Sequence, residues 1–189
     1  MFHSDYRDLQ VQSFLEPGVP DISNAGSATI NGVEVEVDAD AGHGVRLAGH
    51  VSWLDATYDF YHARVPGGAT REAAGNRLNN APEWSGSGSA VYEFAAGQHG
   101  TMRLRGDVSW QSRVFFTPFN DAIETQAAYA LVRLRAGFEP PSRRWELAVY
   151  GRNLGNTEYI TGTANVPIPA FTGRPGEPRV WGTQFTLRH

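Results

Sequence analysis

The sequence predicts an all-β chain: an antiparallel, up-and-down meander of about eight strands, of the kind that walls a transmembrane β-barrel. Three observations predict it. Apolar and polar residues alternate with period two in one segment after another. Short polar turns and long links follow each other in strict rotation. No apolar run approaches the ~20 residues that a membrane helix needs, so any crossing is by strands.

The segments, taken in order, justify the count. The first, "DYRDLQVQSF", is the least regular. "NGVEVEVDA" sets Val33, Val35 and Val37 against Glu34 and Glu36. "GVRLAGHVSWLDATY" sets Val45, Leu47, Val51 and Trp53 against Arg46, His50 and Ser52. "WSGSGSAVYEF" puts Trp84, Ala90, Tyr92 and Phe94 on one side and Ser85, Ser87, Ser89 and Glu93 on the other. "TMRLRGDVSWQSR" separates Met102, Leu104, Val108 and Trp110 from Arg103, Arg105, Asp107, Gln111 and Arg113. "YALVRLRAGF" separates Ala130, Val132, Leu134, Ala136 and Phe138 from Arg133 and Arg135. "RWELAVYGR" and "RVWGTQFTLRH" follow, with Trp145, Leu147 and Val149, then Trp181, Phe185 and Leu187. Residues i and i+2 share one face of a strand, so each segment is amphipathic as β and poor as helix.

The links separate two readings. "DADAGH", "AAGQHG" and "EPPSR" are short and rich in Gly or Pro, as hairpin turns are. Residues 15–27, 59–83, 116–126 and 154–176 are expected as longer links. Alternation with polar turns also describes a soluble β-sandwich, and the pattern alone leaves both open. Outer-membrane barrels have short periplasmic turns and long extracellular loops, so the rotation of link lengths favours the barrel. Tryptophans near strand ends point the same way.

Composition removes other classes. The net charge of −4 leaves no basic footprint for nucleic acid. Cysteine is absent, so there is neither a disulfide framework nor a thiolate metal site. The six histidines show no ligand spacing, and no metal or cofactor is expected. There is no Gly-x-Ser-x-Gly, phosphate-cradling loop or paired acid and base, so no enzyme is expected. The start, "MFHSDYRDLQ", lacks the basic and apolar regions of a signal peptide.

The tail "WELAVYGRNLGNTEY … GRPGEPRVWGTQFTLRH" resembles the C-terminal end of TonB-dependent receptors, the active transporters of the Gram-negative outer membrane. Asn153, Leu154, Asn156 and Tyr159 match the family's turn on the penultimate strand. Gly176, Pro178 and Arg179 match its closing Gly-x-Pro-Arg strand. "NAGSATINGVEVEVDA" is similar to the family too, with Asn24, Ala25, Gly32 and Glu34 in order. The resemblance implies that residues 1–189 are the C-terminal part of a larger barrel of about 22 strands, without the plug domain or signal peptide. It implies energy-coupled uptake of a ferric siderophore or similar bulky solute, cobalamin, haem and oligosaccharides included. The partners would be outer-membrane lipid, the solute, and the TonB complex only through an N-terminal part not found here. A small passive outer-membrane barrel and a soluble β-sandwich binding module are the alternatives. Family members usually end in Phe or Trp, whereas this chain ends in His189, with Phe185 and Leu187 in phase.

Candidate residues follow from this reading. The loop "DFYHARVPGGATREAAGNRLNNAPEW" mixes Tyr58, Tyr61 and His62 with Arg64, Arg71 and Arg77, a set able to hold an anionic chelate by charge and stacking. Arg103, Arg105, Arg113, Arg133 and Arg135 are expected to form a positive stripe on the lumen face; the resemblance implies that they dock the plug, and guiding an anionic substrate is the alternative. Asn153 and Asn156 suit a turn with positive φ. Tyr150 and Tyr159 are expected at the lipid–water boundary, and Phe115, Phe116 and Phe119 in an aromatic girdle.

Overall fold

The alternating segments become one hydrogen-bonded ladder. The computed structural model describes residues 1–16, 19–64, 69–165 and 171–188, with side chains at 1–10, 26–62, 69–163 and 173–188. Its strands are β1 (Phe2–Glu16), β2 (Val19–Gly42), β3 (Val45–Arg64), β4 (Thr70–Glu72), β5 (Trp84–Ala95), β6 (Thr101–Gln111), β7 (Val114–Phe115), β8 (Thr125–Gln126), β9 (Tyr129–Glu139), β10 (Trp145–Arg152), β11 (Ile160–Asn165), β12 (Phe171–Pro175) and β13 (Val180–Leu187). Eight of them pair antiparallel in the order β1-β2-β3-β5-β6-β9-β10-β13. β1 and β13 are the two edges, and the sheet is open.

Register decides which side chains share a face. Val35 lies opposite Val51, Leu47 opposite Ala90, Tyr92 opposite Leu104, and Leu104 opposite Ala136. Val149 is flanked by Ala136 and Thr183, and Leu147 by Phe138 and Phe185. These residues form one continuous apolar face, with Leu134 and Val149 each 52% exposed. Among the described residues few apolar side chains are buried, and no second layer lies against the sheet's apolar face. A sandwich would bury that face, so this architecture is a barrel wall.

Aromatic residues band the outer face at two levels. Trp53, Trp84, Trp110 and Trp181 lie toward one end, in register with Trp84, Trp53, Gly86 and Gly151 respectively. Tyr92 stacks on Phe94 at 4.9 Å, and Trp145 lies 5.8 Å from Phe138 and 6.0 Å from Phe185 at the other. Ten residue steps separate Trp84 from Phe94 within β5. At ~3.3 Å per residue and a tilt of ~40°, this is about 25 Å along the membrane normal, the height of a barrel's apolar band.

The turns fall as the link lengths predict. β2–β3, β5–β6 and β9–β10 are joined by short turns on one rim. The first needs positive φ at Gly42, His43 and Gly44 (77°, 52° and 80°), which glycine adopts freely. β3 and β4 carry the chain to the opposite rim, where Gly67 itself lies outside the described residues.

The long links hold more structure than expected. Residues 15–27 are not a loose link: β1 and β2 continue as one ribbon, from Leu9 opposite Gly26 to Glu16 opposite Val19. β3 pairs with β2 only as far as Tyr61, so Pro20 sits where no ladder bond is needed from it on that side. Residues 59–83 contain the end of β3 and β4; 116–126 contain β8; and 154–176 contain the hairpin β11–β12. Backbone pairing beyond the membrane needs no apolar alternation, which is why the pattern did not announce these ribbons.

Candidate functional site

The inner face of the wall is ionic. Arg103 lies opposite Glu93 and donates to its carboxylate at 2.6 and 2.8 Å. Arg105 turns along its own strand to Asp107 at 2.7 Å. Arg135 reaches Glu146 at 2.6 Å, while Arg188 joins Glu139 and, at 3.2 Å, Glu146. Arg152 pairs with Glu177 at 2.8 Å. The expected positive stripe is thus largely neutralised by acids in phase with it. The exposed pairs among them, Arg103–Glu93, Arg105–Asp107 and Arg152–Glu177, are worth only ~0–1 kcal/mol each, so they orient side chains more than they stabilise the sheet. Asp107 lies opposite Arg133 but has both oxygens engaged by Arg105. Among the described residues, Arg133 and Arg113 enter no ion pair.

Beyond the upper tryptophans the loops close into a small core. A register shift between Ser27 and Ala28 turns Tyr61 to the same side as Tyr58. Tyr61 (1% exposed), Tyr58, Ala28 and Ala73 are buried together, with Leu9, Leu78 and Phe119 packed against them. The Tyr58 hydroxyl donates to Asn79 at 2.7 Å. Burial pushes the Tyr61 phenol up to about 12, with Tyr58 adding to the shift. Phe119 is therefore loop core and not girdle: it meets Tyr61 edge-on at 6.0 Å and lies beneath Arg71 at 4.2 Å. Phe115 and Phe116 are also held in loop pairing, through Asn80 and Glu124.

Two loops are clasped by polar contacts. Arg71 donates twice to Asp121, at 2.8 and 2.9 Å. This bidentate bond holds the Asp121 carboxyl below its ordinary value. The Arg77 backbone N–H donates to the Asn120 side chain, which returns a bond to the Arg77 carbonyl at 3.0 Å. The Arg77 guanidinium also donates to the Leu54 carbonyl and lies 3.5 Å from Glu83. His62 meets Glu72 at 2.5 Å and Phe60 at 4.5 Å.

The "GRNLGNTEY" turn ties three strands together. Asn153, with φ 47° and 3% exposed, donates to the carbonyls of Thr157 and Glu177 and accepts from the Thr157 N–H, each at 2.9 Å. Leu154 bonds Val132 of β9 at 3.0 Å. Asn156, with φ 50°, accepts from Arg179 at 3.4 Å. Tyr159 stacks on Tyr129 at 4.6 Å and covers Gly176 so closely that a Cβ there would enter the ring. Pro178 stands just before β13, where its missing N–H breaks no ladder bond.

With this geometry in hand, comparison with known proteins is decisive. Residues 1–154 match the family model described as "TonB dependent receptor-like, beta-barrel". The chain belongs to this family. Membership places it in the Gram-negative outer membrane. In fold it is similar to the ferric yersiniabactin uptake receptor FyuA from Yersinia pestis, with TM-score 0.81, 20% identity, and coverage of 98% of this chain and 26% of that one. It is also similar to the siderophore receptor PiuA from Acinetobacter baumannii, with TM-score 0.73, 13% identity, and coverage of 97% and 24%. The chain therefore spans about a quarter of the length of these receptors.

Within the receptor wall, the candidate residues are redistributed. Tyr58 and Tyr61, expected to touch solute, are buried because each ring fills the loop core. Arg71 and Arg77 are engaged in the clasp, His62 remains partly exposed, and the Arg64 side chain lies outside the described residues. Tyr150 is not at the lipid boundary. It lies in phase with Arg135 and Arg152 on the inner face, with its ring over Gly182 and the Arg152 guanidinium 5.8 Å away. Tyr159 packs against Tyr129 and Gly176 and not against lipid. The pairing acids Glu93, Asp107, Glu139 and Glu146 were passed over. Counting outward from the turn at 97–100 would have set Glu93 against Arg103.

Proposed function

We propose that this chain is the C-terminal barrel wall of a TonB-dependent receptor that takes up a ferric siderophore or a similar bulky solute. The observation that carries it is an open wall whose apolar outer face and ionic inner face fit a ferric-siderophore receptor along 98% of the chain. Two unpaired edges support its being part of a larger barrel, since exposed backbone groups are costly in lipid. In this reading Arg103, Arg105, Arg113, Arg133 and Arg135 border the plug that fills the lumen, and TonB acts through that plug. The clasped loops form one side of the outer mouth, where the partly exposed His62 meets solute. Asn153, Leu154, Asn156, Tyr159, Gly176, Pro178 and Arg179 fix the last strands and take no part in binding.

The test is uptake of radiolabelled ferric siderophores by a Gram-negative strain stripped of its own receptors and carrying the receptor that contains this chain. Uptake should occur with TonB and vanish without it. Equal uptake in the two backgrounds would instead mark a passive barrel.

A further inference from the structure

We infer that the outer wall holds one phosphate-bearing membrane lipid, with an acyl chain in a slanting groove and the phosphate on Arg179. The groove is a concavity of about 950 Å³ between two rows of outward-facing positions. One bank runs from Ala90 through Gly106 and Gly151 to Trp181, and the other from Tyr92 through Ala136 to Thr183. Its floor is the row between them, which starts at Val91 and ends at Gly182 and belongs to the inner face. The concavity therefore opens to lipid and not to the lumen. At its upper end the Trp181 ring lies over Gly151.

Depth and charge name the occupant. Four strand-to-strand steps separate β5 from β13. They span ~19 Å, and a ~40° tilt makes this a descent of ~12 Å, from the upper aromatic band to about half the apolar height. One leaflet is crossed, as by an acyl chain. Arg179 stands two residues before Trp181, in the same strand phase and on the rim of the long links. Its backbone N–H is held by Asn156, whereas its guanidinium enters no ion pair among the described residues. A guanidinium at the water boundary, above an apolar groove, meets the phosphate of a lipid whose chain fills that groove. The rim makes it a lipid of the outer leaflet. The site takes membrane lipid and not the transported solute, and it needs only the outer-membrane placement.

The probe is radiolabelled dimyristoyl phosphatidic acid, offered in mixed micelles to the immobilised receptor that contains this chain. Dimyristoylglycerol, which lacks the phosphate, and inorganic phosphate, which lacks the chains, are the controls. Saturable retention of the phosphatidic acid alone is expected. Arg179→Gln should weaken it about tenfold by removing a charge-assisted contact, and Ala136→Phe should weaken it at least as much by filling the groove. Arg174→Gln, on the same rim, and Val108→Phe, on the outer face beside the groove, should leave it unaltered. Gel mobility before and after boiling checks the fold of each variant. If Arg179→Gln misfolds, Arg179→Lys should keep part of the retention. Equal retention of dimyristoylglycerol or of inorganic phosphate, or no loss in Arg179→Gln and Ala136→Phe, overturns the site. So does a receptor dimer that Ala136→Phe dissociates while no lipid is retained, since a second copy then fills the groove. Solute and TonB have no part in this equilibrium, so such failure leaves the uptake reading untouched.

Discussion

Replacing Leu134 with Arg puts the facing of the wall to a quantitative test. Leu134 lies on the outer face opposite Gly106, with Phe138 four residues to one side. Four residues to the other side is Ala130, the partner of Trp110. Each interval is ~13 Å of strand, or ~10 Å of depth at a ~40° tilt. The new guanidinium would thus sit about 10 Å from both aromatic bands, near the middle of a band ~25 Å tall. Arginine there costs about 2–4 kcal/mol, and ~3 kcal/mol is roughly a hundredfold in the folding equilibrium. Arg133→Gln, one residue along, removes a water-facing group that enters no ion pair among the described residues and should cost under ~0.5 kcal/mol. Urea unfolding in lipid vesicles, followed by tryptophan fluorescence, measures both. Equal shifts for the two variants would mean that the faces are assigned wrongly.

The clasp and the turn give two further outcomes. Arg71→Ala and Asp121→Ala should be non-additive by about 1 kcal/mol or less, because both side chains are partly exposed; protease cleavage within 59–83 reports it. Because the folded Asp121 carboxyl is held below its ordinary value, this coupling is complete above that ordinary value and fades as pH falls through the folded one; coupling that grew on acidification would contradict the geometry. Asn153→Ala should destabilise by about 2–3 kcal/mol, since it leaves the Thr157 N–H and two carbonyls without their partner in a buried turn; a heat-modified gel mobility like that of the wild type, with no earlier unfolding, would exclude it.

Much of this wall was legible because a strand's period of two is written residue by residue. Val35, Leu104, Val132 and Val149 could be assigned to one face without knowing any partner. Tyr150 shows the rule being neglected: it follows Val149 and precedes Gly151, so its phase already set it inward. Its place near a strand end suggested a girdle, but phase outranks composition in a continuous strand. The mouth was illegible for a different reason. Arg71 and Asp121 are fifty residues apart, and nothing local to either says that two loops will meet. Tyr58 and Tyr61 looked like ligand contacts because aromatic rings in a polar loop serve binding and packing equally well. Only the ring of Phe119, arriving from another loop, decides between them.

The serine–glycine run of β5 has a consequence for how the wall keeps its alignment. From Ser85 to Ser89 the sequence repeats every second residue, so sliding β5 by two against β6 or β3 would turn no side chain to the wrong face. Its middle is smooth, offering neighbours nothing by which to tell one position from the next. The ends are keyed. Trp84 must come beside Trp53, and Glu93 must come beside Arg103; after a two-residue slide Arg103 would face Val91 or Ala95. One offset therefore unseats an aromatic key at the outer end and an ionic key at the inner end together, while the featureless centre resists neither.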